Sequence, residues 1–295
     1  MKVDPKTLKL FVAVVEEGTI AAAALREHLV PAAVSKRISE LEASLNTTLL
    51  ERTNRGVVPT AAGSALLGLA RRALSELDQI AAQMQDYAAG LKGQVRIAAN
   101  ISAISQFLPG ELKSFFSRFP QVRISLEEGI STAIVRSLAE NAADIGVLNH
   151  GHETRGLECY PYHRYRLALI TAHDHPFGQR TSVDFAEALE HDFVGLHAGS
   201  SINLLLLKAA SDLQKALRLR IQVTSYDALC LMVDTGLGIG VLPEAVARQH
   251  AQSLRLRVLA LDEPWAQRAL TLCVRSRASL PEAAQQLLDH LRAPE

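Results

Sequence analysis

From Thr60 to about Ala89 the sequence contains no proline, and glycine only at Gly63 and Gly68. One long helix is therefore expected there, with Thr60 as its cap. Within it Leu66, Ala70, Ala73, Leu77, Ile80, Met84 and Tyr87 are spaced 4, 3, 4, 3, 4 and 3 residues apart, the a/d pattern of a coiled coil. The plainer reading of any apolar stripe is a helix lying on its own domain. A stripe this regular, with few other helices nearby, is instead expected to pair with a second chain. With 295 residues, at roughly 100–200 per domain, two or three folding units are expected. The texture on the two sides of this helix differs.

On the N-terminal side the chain reads as short helices. Leu8, Phe11, Val14 and Val15 recur at helical spacing until Gly18 stops the segment. A second helix is expected from Ile20 to His28, rich in alanine, and a third after Val30. There Pro31 suits a first helical position, and Val34, Ile38, Leu41 and Leu45 form one apolar stripe. Few residues separate the two helices, so they must meet at a tight turn. Asn46 suits a left-handed C-terminal cap, and Leu49–Pro59 reads as a small β-hairpin carrying Arg52 and Arg55. Helix, tight turn, helix and basic hairpin make the shape of a winged helix-turn-helix. One short helix must fit a major groove while flanking cations reach phosphates. Residues 1–60 hold eight Lys/Arg and seven Asp/Glu, so charge alone does not establish DNA binding; a solvated charged face has the same composition.

After the linker-like Gly90-Leu91-Lys92-Gly93, strands and helices alternate from Gln94 onward. Strands are expected at 95–99, 122–127, 144–148, 167–172, 193–196, 219–223, 239–242 and 269–274. Helices are expected near 109–119, 132–140, 202–217, 226–235 and 281–291. This order implies an α/β sheet, and two α/β lobes would leave a cleft outside the carboxyl ends of strands, where ligands bind.

Several function classes are discounted. No stretch approaches the roughly 18–20 apolar residues of a membrane span, and the N-terminus lacks the apolar core of a signal peptide. The three cysteines, Cys159, Cys230 and Cys273, are far apart in the sequence and form no CxxC pair, which speaks against a disulfide framework and fits a reducing cytosol. His150-x-His152 and His173-x-His175 lack an accompanying carboxylate or cysteine constellation, so no metal and no cofactor are expected. Gly236, Gly238 and Gly240 precede a strand and read as a tight turn. Ser200-Ser201 lacks the context of a hydrolase nucleophile. With 31 basic and 31 acidic residues, any nucleic-acid surface must be local.

Residues 8–63 resemble the N-terminal domain of LysR-type transcriptional regulators. The resemblance runs through L-x-x-F-x-x-V-x-E-x-G-T (Leu8 to Thr19), A-V-S-K-R-I-x-x-L-E (Ala33 to Glu42), L-x-x-R-T-x-R (Leu49 to Arg55) and P-T-x-A-G (Pro59 to Gly63). It continues in F-L-P (Phe107 to Pro109), F-P-x-V (Phe119 to Val122), A-D-I-G (Ala143 to Gly146), D-H-P (Asp174 to Pro176) and G-L-G-I-G-V-L-P (Gly236 to Pro243). Four positions depart from the family pattern. Pro31-Ala32 stand where Gln-Pro is usual, Asn46 replaces a glycine and Leu50 a phenylalanine; the first change removes a base-reading glutamine amide.

The resemblance implies an α/β protein in three parts. A winged helix-turn-helix would occupy 1–59, a coiled-coil linker helix 60–89 and a hinge 90–93. A two-lobed sensor resembling periplasmic binding proteins would span 94–295, with lobe I at 94–164 and 266–295 and lobe II at 165–265. DNA contacts are expected from Thr19, Pro31, Ala32, Ser35, Lys36, Arg37, Arg52 and Arg55, and dimerisation from the stripe Leu66 to Tyr87. Effector contacts are expected from Asn100, Ser102, Gly129, Ser131, Leu148, Asn149, His197, Ser200, Ser201 and Ile202. The pocket shows no arginine clamp, so a modest carboxylate or a neutral polar metabolite fits better than a polyphosphate. Implied partners are double-stranded DNA with an interrupted inverted repeat, a small-molecule effector, further copies of the chain as a homodimer or homotetramer, and RNA polymerase for an activator. The alternative is a small-molecule-binding protein or enzyme with an accessory helical domain; the absent catalytic constellation tells against it.

Overall fold

The computed structural model describes residues 4–53, 56–88 and 93–292, less the side chains of 79, 81–83 and 85–88. Arg55, the Tyr87 side chain and residues 90–92 of the expected hinge lie outside the described residues. Two compact units result: Met1–Gly93 with Arg136–Ala143, and Gln94–Val135 with Asp144–Glu295.

The first unit begins with α1 (Pro5–Glu17), α2 (Ile20–Arg26) and α3 (Pro31–Leu45), followed by β1 (Leu50–Thr53), β2 (Gly56–Pro59) and α4 (Ala61–Ala88). Its boundaries follow from local chemistry. Asp4 caps α1 by accepting from the Thr7 N–H at 3.0 Å. Gly18 ends that helix at φ +67°, and Asn46 ends α3 at φ +48°, both in the left-handed region. Phe11, Val14, Val34, Ile38 and Leu41 meet Leu49 and Val57 in one core. Ala23 and Ala24 let α2 sit close to it. Thr60 caps α4 through the Gly63 N–H at 3.0 Å.

The long helix corrects the expected stripe at its start. Ala70 is only 1 % exposed, buried against Leu8 and Val12 of α1, with Leu66 packed beside it. These two stripe positions therefore serve the fold of their own domain. Farther along, Ala73 is exposed, and Leu77, Ile80 and Met84 are 45, 59 and 56 % exposed. Leu69, 55 % exposed, lies one turn before Ala73 on the same side. An outward apolar stripe thus begins at Leu69.

The second unit runs β3 (Gln94–Ala99), α5 (Ile101–Gln106), α6 (Leu108–Arg118), β4 (Arg123–Glu128), α7 (Ser131–Ala139), β5 (Ile145–Asn149) and β6 (Glu158–Ala172). It continues with β7 (Ser182–Val183), α8 (Phe185–Ala188), β8 (Phe193–Leu196), α9 (Ser201–Asp212), β9 (Leu219–Val223) and α10 (Tyr226–Asp234). Last come β10 (Gly240–Pro243), α11 (Glu244–His250), β11 (Leu256–Leu261), β12 (Gln267–Val274) and α12 (Glu282–Arg292). The main sheet has the order β4-β3-β5-β12-β6-β11-β7, with β10 also on β6. Strand β6 divides it. Residues 158–166 pair with β12, whereas 167–172 pair with β10 and β11. The parallel pair β8-β9 joins the second half through the bridge Phe193↔Ile239. Asp144 locks β5 to β3, accepting from the Arg96 N–H at 2.8 Å and its guanidinium at 2.7 Å.

Two thiols far apart in the sequence meet in the sheet. Cys159 and Cys273 are directly opposed on β6 and β12, both as free cysteines. Burial, with Cys159 alongside, pushes the Cys273 thiol well above its ordinary pKa. No described helix is long and apolar enough to cross a membrane.

Candidate functional site

In the first unit the start of α3 presents Pro31, Ala32, Lys36 and Arg37 outward and Ser35 half-buried, while Val34, Ile38 and Leu41 turn into the core. The hairpin is held beside this helix. Arg52 Nη2 donates to Ser35 Oγ at 3.0 Å, and Glu42 Oε1 accepts from the N–H groups of Leu49 and Leu50 at 2.7 and 3.1 Å. The Val57 N–H donates to Gly18 O at 2.8 Å. A Cβ on Gly56 would sit 2.3 Å from that same oxygen, and its φ of +133° also requires glycine. Lys36 lies 3.9 Å from Glu40, one turn on. Thr19 has a structural duty that the sequence reading did not assign: its Oγ1 accepts from the Ala22 N–H at 3.1 Å and caps α2. Its O–H is left as a donor.

In the second unit a cleft of about 170 Å³ opens where strands end. Strands β3, β4 and β5 are mutually parallel, as are β8 and β9, so each set delivers its following turn to one side. Asn100 follows β3, Gly129 follows β4, Asn149 ends β5, and His197, Ser200 and Ser201 follow β8; all line the cleft, as do Ser131 and Ile202. Ser200 caps α9, accepting from the Asn203 N–H at 3.3 Å.

Two expected contacts are corrected. Leu148 is fully buried: alternation along β5 turns Asn149 to the cleft and Leu148 to the opposite face. Ser102, 2 % exposed, lies beneath the cleft. Its hydroxyl oxygen is 3.0 Å from that of Tyr226 and 3.3 Å from that of Tyr165, whose one hydrogen has Ser102 Oγ and Asn149 Oδ1, 3.2 Å away, as alternative acceptors. This buried network joins α5, α10 and the middle of β6. Burial above all holds the Tyr226 phenol neutral, its pKa pushed far above the usual value.

Sequence reasoning missed Glu128, Leu196 and Tyr226, which also line the cleft, as do Ile101 and Ile130 between expected contacts. Tyr226 was within reach, because it follows β9 as Asn100 follows β3. The discounted histidines have other duties: His173 Nε2 is 2.7 Å from Arg257 Nη2, and His175 Nδ1 accepts from the Phe177 N–H at 3.2 Å. No group of three or more metal-ligating side chains occurs among the described residues.

A winged helix-turn-helix carried in one chain with an α/β domain that opens a polar cleft at its strand ends defines a ligand-responsive DNA-binding regulator. Residues 5–64 match the model of the bacterial regulatory helix-turn-helix protein, lysR family, and residues 88–294 match the LysR substrate binding domain. The chain belongs to the LysR family of transcriptional regulators. It is 27 % identical to the HTH-type transcriptional regulator YbhD of Escherichia coli, over 97 % of this chain and 90 % of that one. To the nitrogen assimilation regulatory protein nac of Klebsiella aerogenes it is 28 % identical, over 97 and 93 %. Its fold is similar to that of full-length CbnR in complex with target DNA, with TM-score 0.69, 21 % identity and coverage of 98 and 99 %.

Proposed function

We propose that this chain is a cytoplasmic one-component regulator in which α3 reads the major groove of an interrupted inverted repeat and the cleft of the second unit takes the effector. Ser35 and Lys36 face base edges, and Pro31 and Ala32 offer apolar contact to a thymine methyl. Thr19, Arg37 and Arg52 hold phosphates, with Arg55 beside them. Leu69, Ala73, Leu77, Ile80 and Met84 join two chains, because linked reading heads raise the effective concentration on paired half-sites. Dimers then assemble as a tetramer, and for an activator RNA polymerase is the next partner. The effector acts by binding one arrangement of dimers better than the other, since equal affinity shifts nothing.

The observation that carries this reading is the division of α3 into a buried apolar face and an exposed polar start, braced by the bond from Arg52 to Ser35. Nuclease footprinting of the full chain on the DNA upstream of its own gene tests it. Two protected half-sites about one helical turn apart, or a multiple of that, are expected. Uniform, sequence-independent protection would overturn it.

A further inference from the structure

Two side chains on the floor of the cleft hold polar hydrogens that the protein does not use. Asn100 and Asn149 are each 6 % exposed. The Asn100 amide orientation is set by the backbone, because Oδ1 accepts from the Ala103 N–H at 2.9 Å and a backbone N–H only donates. Asn149 Oδ1 accepts from the Tyr165 O–H at 3.2 Å, which takes up that hydroxyl's one hydrogen. Both asparagines line the cleft, and neither Nδ2 group has a hydrogen-bond partner among the described residues. Strands β3 and β5 are adjacent and parallel, so both asparagines stand at the same end of the sheet.

The two helix starts at the cleft also favour an acceptor. Ser131 and Ser201 open α7 and α9, of 9 and 12 residues, whose starts carry partial positive charge. Among the described residues neither lysine nor arginine lines the cleft, and Glu128 does. A second negative charge on the ligand would meet that carboxylate without a compensating cation. The walls are apolar at Ile101, Ile130, Leu196 and Ile202. The volume of about 170 Å³ is below the roughly 300–1,000 Å³ of drug-sized sites.

From these observations we infer that the effector is a small monocarboxylate with a compact apolar body, its two oxygens taking the amide hydrogens of Asn100 and Asn149. The inference rests on the reading of this cleft as the effector site. It excludes dicarboxylates and sugar phosphates as the main ligand class. It also separates a carboxylate from its neutral amide, which replaces one acceptor by a donor facing a donor.

Calorimetry and thermal shift of the full chain test this, with acetate, propionate, butyrate, pyruvate, lactate and benzoate assayed singly. Propionamide, butyramide, benzamide, succinate, citrate and glycerol 3-phosphate are the contrasts. At least one monocarboxylate is expected to bind, with its amide and the multivalent anions weaker by roughly tenfold or more. Asn100→Asp and Asn149→Asp keep the inward-facing acceptor of each side chain and replace the donor by a like charge. Each should weaken the monocarboxylate by a similar factor, while circular dichroism without ligand shows the fold retained. Silence from every monocarboxylate overturns the inference. So does a multivalent anion, phosphate or neutral amide that binds best; if that ligand is still lost in Asn149→Asp, the cleft stands as the site and only the ligand class falls. A monocarboxylate that binds both variants as it binds wild type places the site elsewhere and overturns the cleft reading itself.

Discussion

The start of α3 and the floor of the cleft use polar side chains in opposite ways. At α3 the polar groups are exposed or half-buried and already engaged with neighbours: Ser35 with Arg52, Lys36 beside Glu40. In the cleft the polar groups are buried and half-engaged, each asparagine with its oxygen occupied and its nitrogen without a partner. A surface that meets a charged polymer works with side chains that water satisfies equally well, so nothing in the fold depends on the partner. A buried site keeps donors dry, and an unpartnered buried donor carries a penalty of about 1–3 kcal/mol that a ligand with the right acceptor removes. Specificity in the second case is written in what the fold leaves undone.

The largest expected effect lies along α4, where the inward and outward stripes diverge. Ala70→Glu forces a carboxylate between Leu8 and Val12 and should destabilise the first unit by several kcal/mol. Leu77→Glu should leave the melting of the isolated protomer near wild type, yet reduce the sedimenting mass and weaken operator binding severely. Equal mass and equal DNA affinity for Leu77→Glu would show that the outward stripe has no partner in a second chain.

A smaller effect is expected beneath the cleft. Ser102→Ala leaves the Tyr226 hydroxyl buried without its 3.0 Å partner and should reduce stability by about 1–2 kcal/mol in a urea titration. Ser201→Ala, at the helix start, should change stability far less while weakening the ligand. Indistinguishable stabilities would erase the distinction between support and contact drawn here.

The smallest effect concerns pH. Burial, then the neighbouring His191, holds the His175 pKa below its ordinary 6.5. A depressed histidine contributes stability that is complete above about pH 6.5 and lost as pH falls toward the folded-state value. Protonation also ends the bond from the Phe177 N–H to Nδ1. Urea midpoints should therefore fall from about pH 7.5 to about pH 5.5, and fall less in His175→Gln; parallel declines would remove His175 as a cause.

Legibility followed the same contrast. The head could be read because its signals are local: Pro31 at a helix start, Asn46 at its end, Val34, Ile38 and Leu41 on one face. Helix α4 was misread at Leu66 and Ala70 because an a/d stripe does not say which neighbour covers it, and α1 lies some sixty residues earlier. Strand β6 was visible only from Leu167, where both faces are buried. Its first half, with Tyr160, Tyr162, His163 and Arg164, is a partly exposed edge without an apolar run. Strand β11 and helix α11 were passed over inside the second half of the sheet. In the cleft, the strand-end rule found Asn100, Asn149 and His197. It could not find that Ser102 faces two tyrosines, because those partners lie 63 and 124 residues away.

The direct test of the account is the salt dependence of DNA binding by the full chain and by Arg52→Ala, measured by fluorescence anisotropy on the footprinted promoter fragment and on unrelated DNA. Wild type should bind the promoter more tightly, with affinity falling linearly against log salt. Arg52→Ala should weaken binding to both DNAs alike and lower the slope by about one unit. Equal affinity for both DNAs, or an unchanged slope and affinity in the variant, would contradict the account.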